Sequence, residues 1–398
     1  SVALSGTAAD INAALAGISG YTGTVTASGT QTGSSGVTAV NALGTATAGV
    51  VTATLTGTIT ELGSLTSAAT DMIAVTASGT QTGSSGVTAL NTLAGKTAGV
   101  VTATVSGTIT ELGDLVIATT DAIAMTASGT QTGSSGVTAV NALGTATAGV
   151  VTATLTGTIT ELGSLSTAAT DMIAVTASGT QTGSAGVTAL NALGGKTGGV
   201  VTATLTGSIS EVASLSTAAT DAIAVTASGT FAGASGVTAL NALGGKTAGV
   251  VTATLTGSIS EVASLTTAAT DVIAVTASGT FTGASGVTAL NTLAGKTAGV
   301  VTATVSGTAA ELALLTTAGT DLIAVTLSNA HTLPQLKAIN DATGGAITLN
   351  DASVALSGTA ADINAALAGI SGYTGTVTAS GTQTGSSGVT AVNALGTA

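Results

Sequence analysis

Residues Thr52-Ala-Thr-Leu-Thr56 alternate polar and apolar positions with a period of two, which predicts a strand with one buried face. Val51, Ala53 and Leu55 would point inward, and Thr52, Thr54 and Thr56 outward. Gly57 is then expected to turn the chain. Thr58 and Glu61 have the spacing of a capping box, in which hydroxyl and carboxylate satisfy the free N–H groups of a helix start. Behind it Ile59, Leu62 and Leu65 place one apolar stripe on about two helical turns. A second, longer phrase follows. Ile73, Val75 and Ala77 alternate with Thr76 and Ser78 as another half-buried strand. Val87, Leu90 and Leu93 mark a helix, and Gly95 is suited to its C-terminal cap.

These two phrases recur along the whole chain. The glycines of "SGT" and "TGT/TGS" (Gly29, Gly57, Gly79, Gly107, Gly129 and onward to Gly307) are separated alternately by 28 and 22 residues. The 50-residue repeat is therefore two coils, each a strand followed by a short helix. The capping box recurs as Thr108/Glu111, Thr158/Glu161, Ser208/Glu211, Ser258/Glu261 and Thr308/Glu311. Asn329 takes the place of the next glycine. Asn tolerates positive φ better than other side chains, so it is expected to share the glycine conformation. Residues 353–398 repeat residues 1–46 without a difference, an offset of 352 residues or fourteen coils. The chain reads as one continuous solenoid, 1–398: a full super-repeat (1–352), the start of the next, and a segment of a longer array. It opens and closes in mid-pattern at Ser1 and Ala398, with no polar capping coil expected.

One coil of 22 or 28 residues cannot bury an apolar face alone; stacking coils can. The expected fold is an α/β repeat solenoid, with a parallel sheet on one side, short helices on the other and right-handed crossovers. A purely β solenoid is the alternative. The expected architecture resembles a leucine-rich-repeat solenoid, although the leucine pattern and Asn ladder of that family are not present. At about 4.8 Å per strand, fourteen coils would rise about 67 Å.

Composition narrows the function. Only 6% of the 398 residues are charged and 1% aromatic, yet 44% are hydrophobic, which argues against disorder. The apolar runs are broken by Thr every few residues, so no membrane-spanning helix is expected. Seventeen acidic residues against five Lys give a net charge of −12, which disfavours nucleic acid. Without Cys there are no disulfides and no thiolate metal sites. An acidic chain lacking Cys and Arg reads as extracellular and prokaryotic.

Candidate chemistry is sparse. His331 is the only His, in the odd coil "SNAHTLPQLKAIND", and is read as a surface or packing residue, with Thr332 capping that coil's helix and Pro334 in its first turn. Asp71, Asp121, Asp171, Asp221, Asp271 and Asp321 precede alternate strands and are read as turn caps. Calcium is the functional alternative, but it needs six to eight oxygens and the GGxGxD nonapeptide does not occur. Asn41 and its counterparts could form a ladder or bond loop backbone. Lys96, Lys196, Lys246 and Lys296 lie near helix C-termini, where the dipole favours a cation, although Ala46 and Ala146 stand in other copies. No catalytic motif is present, so no enzyme, cofactor or metal is expected. Thr-x-Thr on stacked strands offers a hydroxyl and methyl lattice, and with it a minor ice-binding reading.

In "SGTAADINAALAGISG", "VTALNTLAGKTAGVVTATVSGTITEL" and "ALNALGGKTAGVVTATLTGS" the chain resembles repeats of giant bacterial, in particular cyanobacterial, adhesin-like surface proteins. That resemblance implies a secreted, cell-surface or filamentous product. The expectation is a structural fibre, stalk or surface-layer strand that continues into further repeats or associates end to end, or else an adhesin repeat region presenting a binding head.

Overall fold

The computed structural model describes residues 2–396, so the two terminal positions named above, Ser1 and Ala398, lie outside the described residues. Fifteen strands stand in sequence order in one sheet, and neighbouring strands run parallel. Each of the regular coils returns through a helical segment. This is an α/β repeat solenoid, and the helices of 12–14 residues in the long coils exclude the purely β alternative. The chain divides into two compact units, one of Ser1–Gly179 with Ala189–Ala203, the other of Thr180–Thr188 with Thr204–Ala398.

In the first unit the strand Val51–Thr58 buries Val51, Ala53 and Leu55 and exposes Thr52 and Thr54, as the alternation predicts. It pairs residue for residue with the first part of the long strand Met72–Thr82, from Thr52 opposite Met72 to Thr58 opposite Ser78. The long strand then turns to its other neighbour. Val75 and Thr76 oppose Val101 and Thr102, but Thr104 is opposed by Thr80, so two extra residues bulge out. Gly79, at φ 74°, lies in that bulge, where the backbone is one that side chains rarely adopt. The long coil thus carries a two-limbed strand, one limb for each neighbour.

Gly57 behaves otherwise than expected. It lies inside its strand opposite Ala77, without positive φ, and does not turn the chain. A Cβ there would come within 3.1 Å of Glu61 Oε2 and 3.5 Å of Gly33 Cα, so the position is small for reasons of space.

The helix Gly83–Ala94 buries Val87, Leu90 and Leu93 against the sheet. Gly95 is its C-cap, with right-handed φ of −67°. The short-coil helix is one turn, Ile59–Leu62, shorter than the stripe suggests. Leu62 and Leu65 are buried and Ile59 is half-exposed. Small side chains suit the thin layer between sheet and helices.

In the second unit the odd coil breaks the pattern. Its strand ends at Leu327, without a second limb. Asn329 is not in the left-handed region, unlike Gly29, Gly79, Gly129, Gly179, Gly229 and Gly279, so the expectation of a shared conformation is wrong. The physical reason lies in its side chain: Oδ1 accepts the N–H of Ala309, 2.7 Å away at the start of the helix Ala309–Leu312. Without the bulge, only Val325 and Thr326 pair onward, with Ile347 and Thr348, where the large sheet stops.

Residues 353–398 begin a separate two-stranded sheet, Leu356–Gly358 with Val377–Ala379, in the register that Leu4–Gly6 and Val25–Ala27 have in the first copy. Continuity across this join is therefore carried by the helix layer instead of the strand ladder. The helix Leu333–Asp341 meets the helix Ala360–Leu367 through Leu336, Ile363 and Leu367, and Asn340 Nδ2 donates to the carbonyls of Ala366 and Ala368 at 2.9 and 2.7 Å.

Candidate functional site

The recurring polar residues converge on the joins between coils. Asp71 is almost fully buried; its Oδ2 accepts the N–H of Ala68 at 2.9 Å, closing the local turn. Its Oδ1 accepts the N–H of Val51 at 2.8 Å, at the first residue of the preceding strand. The local bond recurs at all six aspartates. The bond to the preceding strand recurs at Asp121, Asp171, Asp271 and Asp321. The turn-capping reading holds, and the second oxygen adds a clamp between coils.

Thr97 supplies the next join and was not singled out from the sequence. Its hydroxyl accepts the N–H groups of Ile73 and Gly99, both at 2.9 Å, and its single hydrogen is shared between the carbonyls of Asp71 and Ile73, both at 2.8 Å. Thr147, Thr197, Thr247, Thr297 and Thr343 repeat the arrangement. The available signal was a Thr in every "TAGV" or "TGGV" phrase, retained as "TGGA" in the odd coil. Gly99 makes this close approach possible: a Cβ there would lie 2.4 Å from Ile73 C and O.

Asn41 bonds loop backbone and builds no ladder. Its Nδ2 donates to Ser64 O at 2.9 Å and its Oδ1 accepts Thr66 N–H at 2.8 Å, both in the next coil. Asn91, Asn141, Asn241 and Asn291 do the same. Lys96 donates to Gly63 O, at the C-terminus of the preceding short helix; Lys246 and Lys296 donate to Ala213 O and Ala263 O at 2.5 and 2.7 Å. The cation therefore meets the negative end of a helix in the neighbouring coil.

All six Thr/Ser–Glu capping boxes form. The carboxylate also crosses to the coil before it: Glu111 Oε2 accepts from Thr108 N at 2.7 Å, while Oε1 accepts from Ser84 N at 3.2 Å and Ser84 Oγ at 3.0 Å. These bonds, first those from the Thr108 backbone and hydroxyl, hold the Glu111 carboxyl below its ordinary value. The same direction holds at Glu61, Glu161, Glu211, Glu261 and Glu311.

His331 is buried and not on the surface, at 4% exposure. It stands fifty residues after Phe281, which stands fifty after Phe231, with Gln81 and Gln181 earlier in the same series; all four are also buried. Gln81 satisfies its amide on Ser78 O and Gly79 O. Neither imidazole nitrogen of His331 has a partner among the described residues. Burial pushes its pKa down, and the nearby Asp351 carboxylate pulls it partly back. Thr332 caps its helix as expected, with Pro334 in the first turn, and the cap is a full capping box completed by Gln335.

Among the described residues no group of three or more His, Cys, Asp or Glu could hold a metal ion, and no helix is long and apolar enough to cross a membrane. A pocket of about 530 Å³ lies beside Asn364 and 367–372, and no titratable side chain lines it. What the fold and its polar groups define is a stacked-coil repeat protein whose recurrent polar side chains hold one coil to the next. No protein-family model matches the chain, and no curated protein matches it.

Proposed function

We propose that this chain is a structural, extracellular repeat protein, serving as a fibre, stalk or surface-layer strand built by stacking of coils. One observation carries the reading. The polar residues that recur with the repeat (Asp71, Thr97, Asn41, Lys96, Glu111 and their counterparts) are engaged with backbone or hydroxyl groups of an adjacent coil. Side chains so engaged give rigidity, and they are not free to bind or transform a substrate. The repeated 46-residue block allows the pattern to resume after each super-repeat, with the helix-layer join at 333–367 as the connection. An adhesin stalk is the same element carrying a separate binding head.

The test is negative-stain imaging of chains with one, two and three tandem copies of residues 1–352. Rods that lengthen by a constant increment per copy support the reading. Compact particles that do not lengthen would refute it. Rods of the native protein tipped by a globular head would favour the stalk over the fibre. The exposed Thr52 and Thr54 favour ice binding as a second reading, for which thermal hysteresis lost on Thr54→Tyr is the assay.

A further inference from the structure

We infer that the helix-free face of the sheet is a pairing surface for a second copy of this chain, face to face. In the first unit the strands Val51–Thr58, Met72–Thr82, Val101–Thr108, Ala122–Thr132, Val151–Thr158 and Met172–Thr182 contain no charged residue. Their outward positions are Thr, Ser and Ala, with large apolar groups along one margin. Met72 and Met172 are each 48% exposed, and Val100 and Val150 are about as exposed. Met72 lies beside Thr52 and Met172 beside Thr152 in the strand ladder, so thioethers and threonine methyls adjoin. The face is thus partly apolar, and it is not a stripe of small residues alone.

Three arguments select a second copy as the occupant. The chain carries −12, so copies repel through most surfaces but not through an uncharged one. A partner that recognises charge finds nothing here to bind. A face whose rows repeat at the strand spacing of about 4.8 Å is matched row for row by another sheet of the same spacing. The area is also adequate. Eight strands begin within Ser1–Gly179, giving seven gaps of about 4.8 Å; with five or six residues per strand the flat face is roughly 600 Å². Two such faces would bury about 1,200 Å² together, at the lower end of the range for specific interfaces. The second unit repeats the face, with Val272 and Leu322 exposed on its margin.

The inference rests on the stacked coils but not on end-to-end growth, and the two separate by measurement. The full chain is examined by sedimentation equilibrium and small-angle X-ray scattering. Face pairing predicts a concentration-dependent doubling of mass together with a doubled mass per unit length. End-to-end growth raises mass but leaves mass per unit length unchanged, and that result would overturn the inference while sparing the fibre. The double variant Thr54→Lys/Thr104→Lys should stay monomeric with unaltered circular dichroism, as should Thr54→Glu/Thr104→Glu. An equimolar mixture of the two should recover the doubling, because only self-apposition brings the introduced charges together. A monomer at all concentrations, with or without thermal hysteresis, overturns the inference. So does association that survives both charge sets, or failure of the mixture to recover it. The wild-type scattering decides the matter even if a variant does not fold.

Discussion

Replacing Asp71 by Ala removes the acceptor of two N–H groups at once, that of Val51 at 2.8 Å and that of Ala68 at 2.9 Å. Val51 is wholly buried, so its N–H has no water to turn to. Leaving a buried donor unsatisfied costs about 1–3 kcal/mol, and the partly buried Ala68 donor belongs at the lower end. The sum is about 2–5 kcal/mol, a large part of the stability of an ordinary domain. Coils touch only their neighbours, so the loss should be local. Amide hydrogen exchange should accelerate at Val51 and in the turn at 68–71, by roughly a hundredfold for a 3 kcal/mol loss. Asp71→Asn keeps one acceptor oxygen and turns an NH₂ toward the other donor, so it should fall between Ala and wild type. Urea unfolding gives the total and exchange gives the location. An Asp71→Ala chain within about 0.5 kcal/mol of wild type would refute the coupling role, as would acceleration spread evenly over all coils.

His331→Phe should stabilise the odd coil by about 1 kcal/mol, since Phe231 and Phe281 are buried at the same place in the 50-residue series and the buried imidazole lacks partners among the described residues. The folded pKa of His331 lies below its ordinary 6.5, so its neutral form contributes stability above that pH and loses it as pH falls toward the folded value. A melting profile of His331→Phe should lack this slope, and an unchanged slope would exclude His331 as its source. The six capping glutamates are held below 4.5, so their contribution is present above that pH and lost as pH falls through the lowered values; exposed to solvent, they should lower the melting temperature only modestly, and only in that acid range. Gly99→Ala should cost about 3 kcal/mol because its Cβ meets Ile73 backbone, whereas Gly79→Ala, with open space but φ of 74°, should cost about 1–2 kcal/mol; equal costs in urea titrations would contradict this. Millimolar calcium should leave the melting temperature unchanged, since both Asp71 oxygens face N–H donors; a large rise would overturn the clamp.

The strand and helix faces were legible because period-two and helical spacing report burial directly, and Val51, Ala53, Leu55, Val87, Leu90 and Leu93 all lie where the pattern puts them. The capping boxes were legible because partner and spacing are both local. Contacts between coils were not. Thr97 reaches Ile73, 24 residues back, and Asp71 reaches Val51, 20 back, distances at which one sequence carries no pairing signal. Glycine was legible as a marker but not as a mechanism. Gly57 and Gly79 share a phrase, yet one gives room to Glu61 and the other supplies positive φ. Asn329 misled because its side chain, an acceptor for Ala309, matters more there than its tolerance of left-handed backbone.

Adjacent coils stabilise one another through these joins. This coupling is tested most directly by the unfolding midpoint of fragments holding two, three, four and five 50-residue repeats cut from residues 25–300. The midpoint should climb with each added repeat and level off, as for any array whose stability is a sum of coil and neighbour contributions. A midpoint independent of repeat number would contradict it.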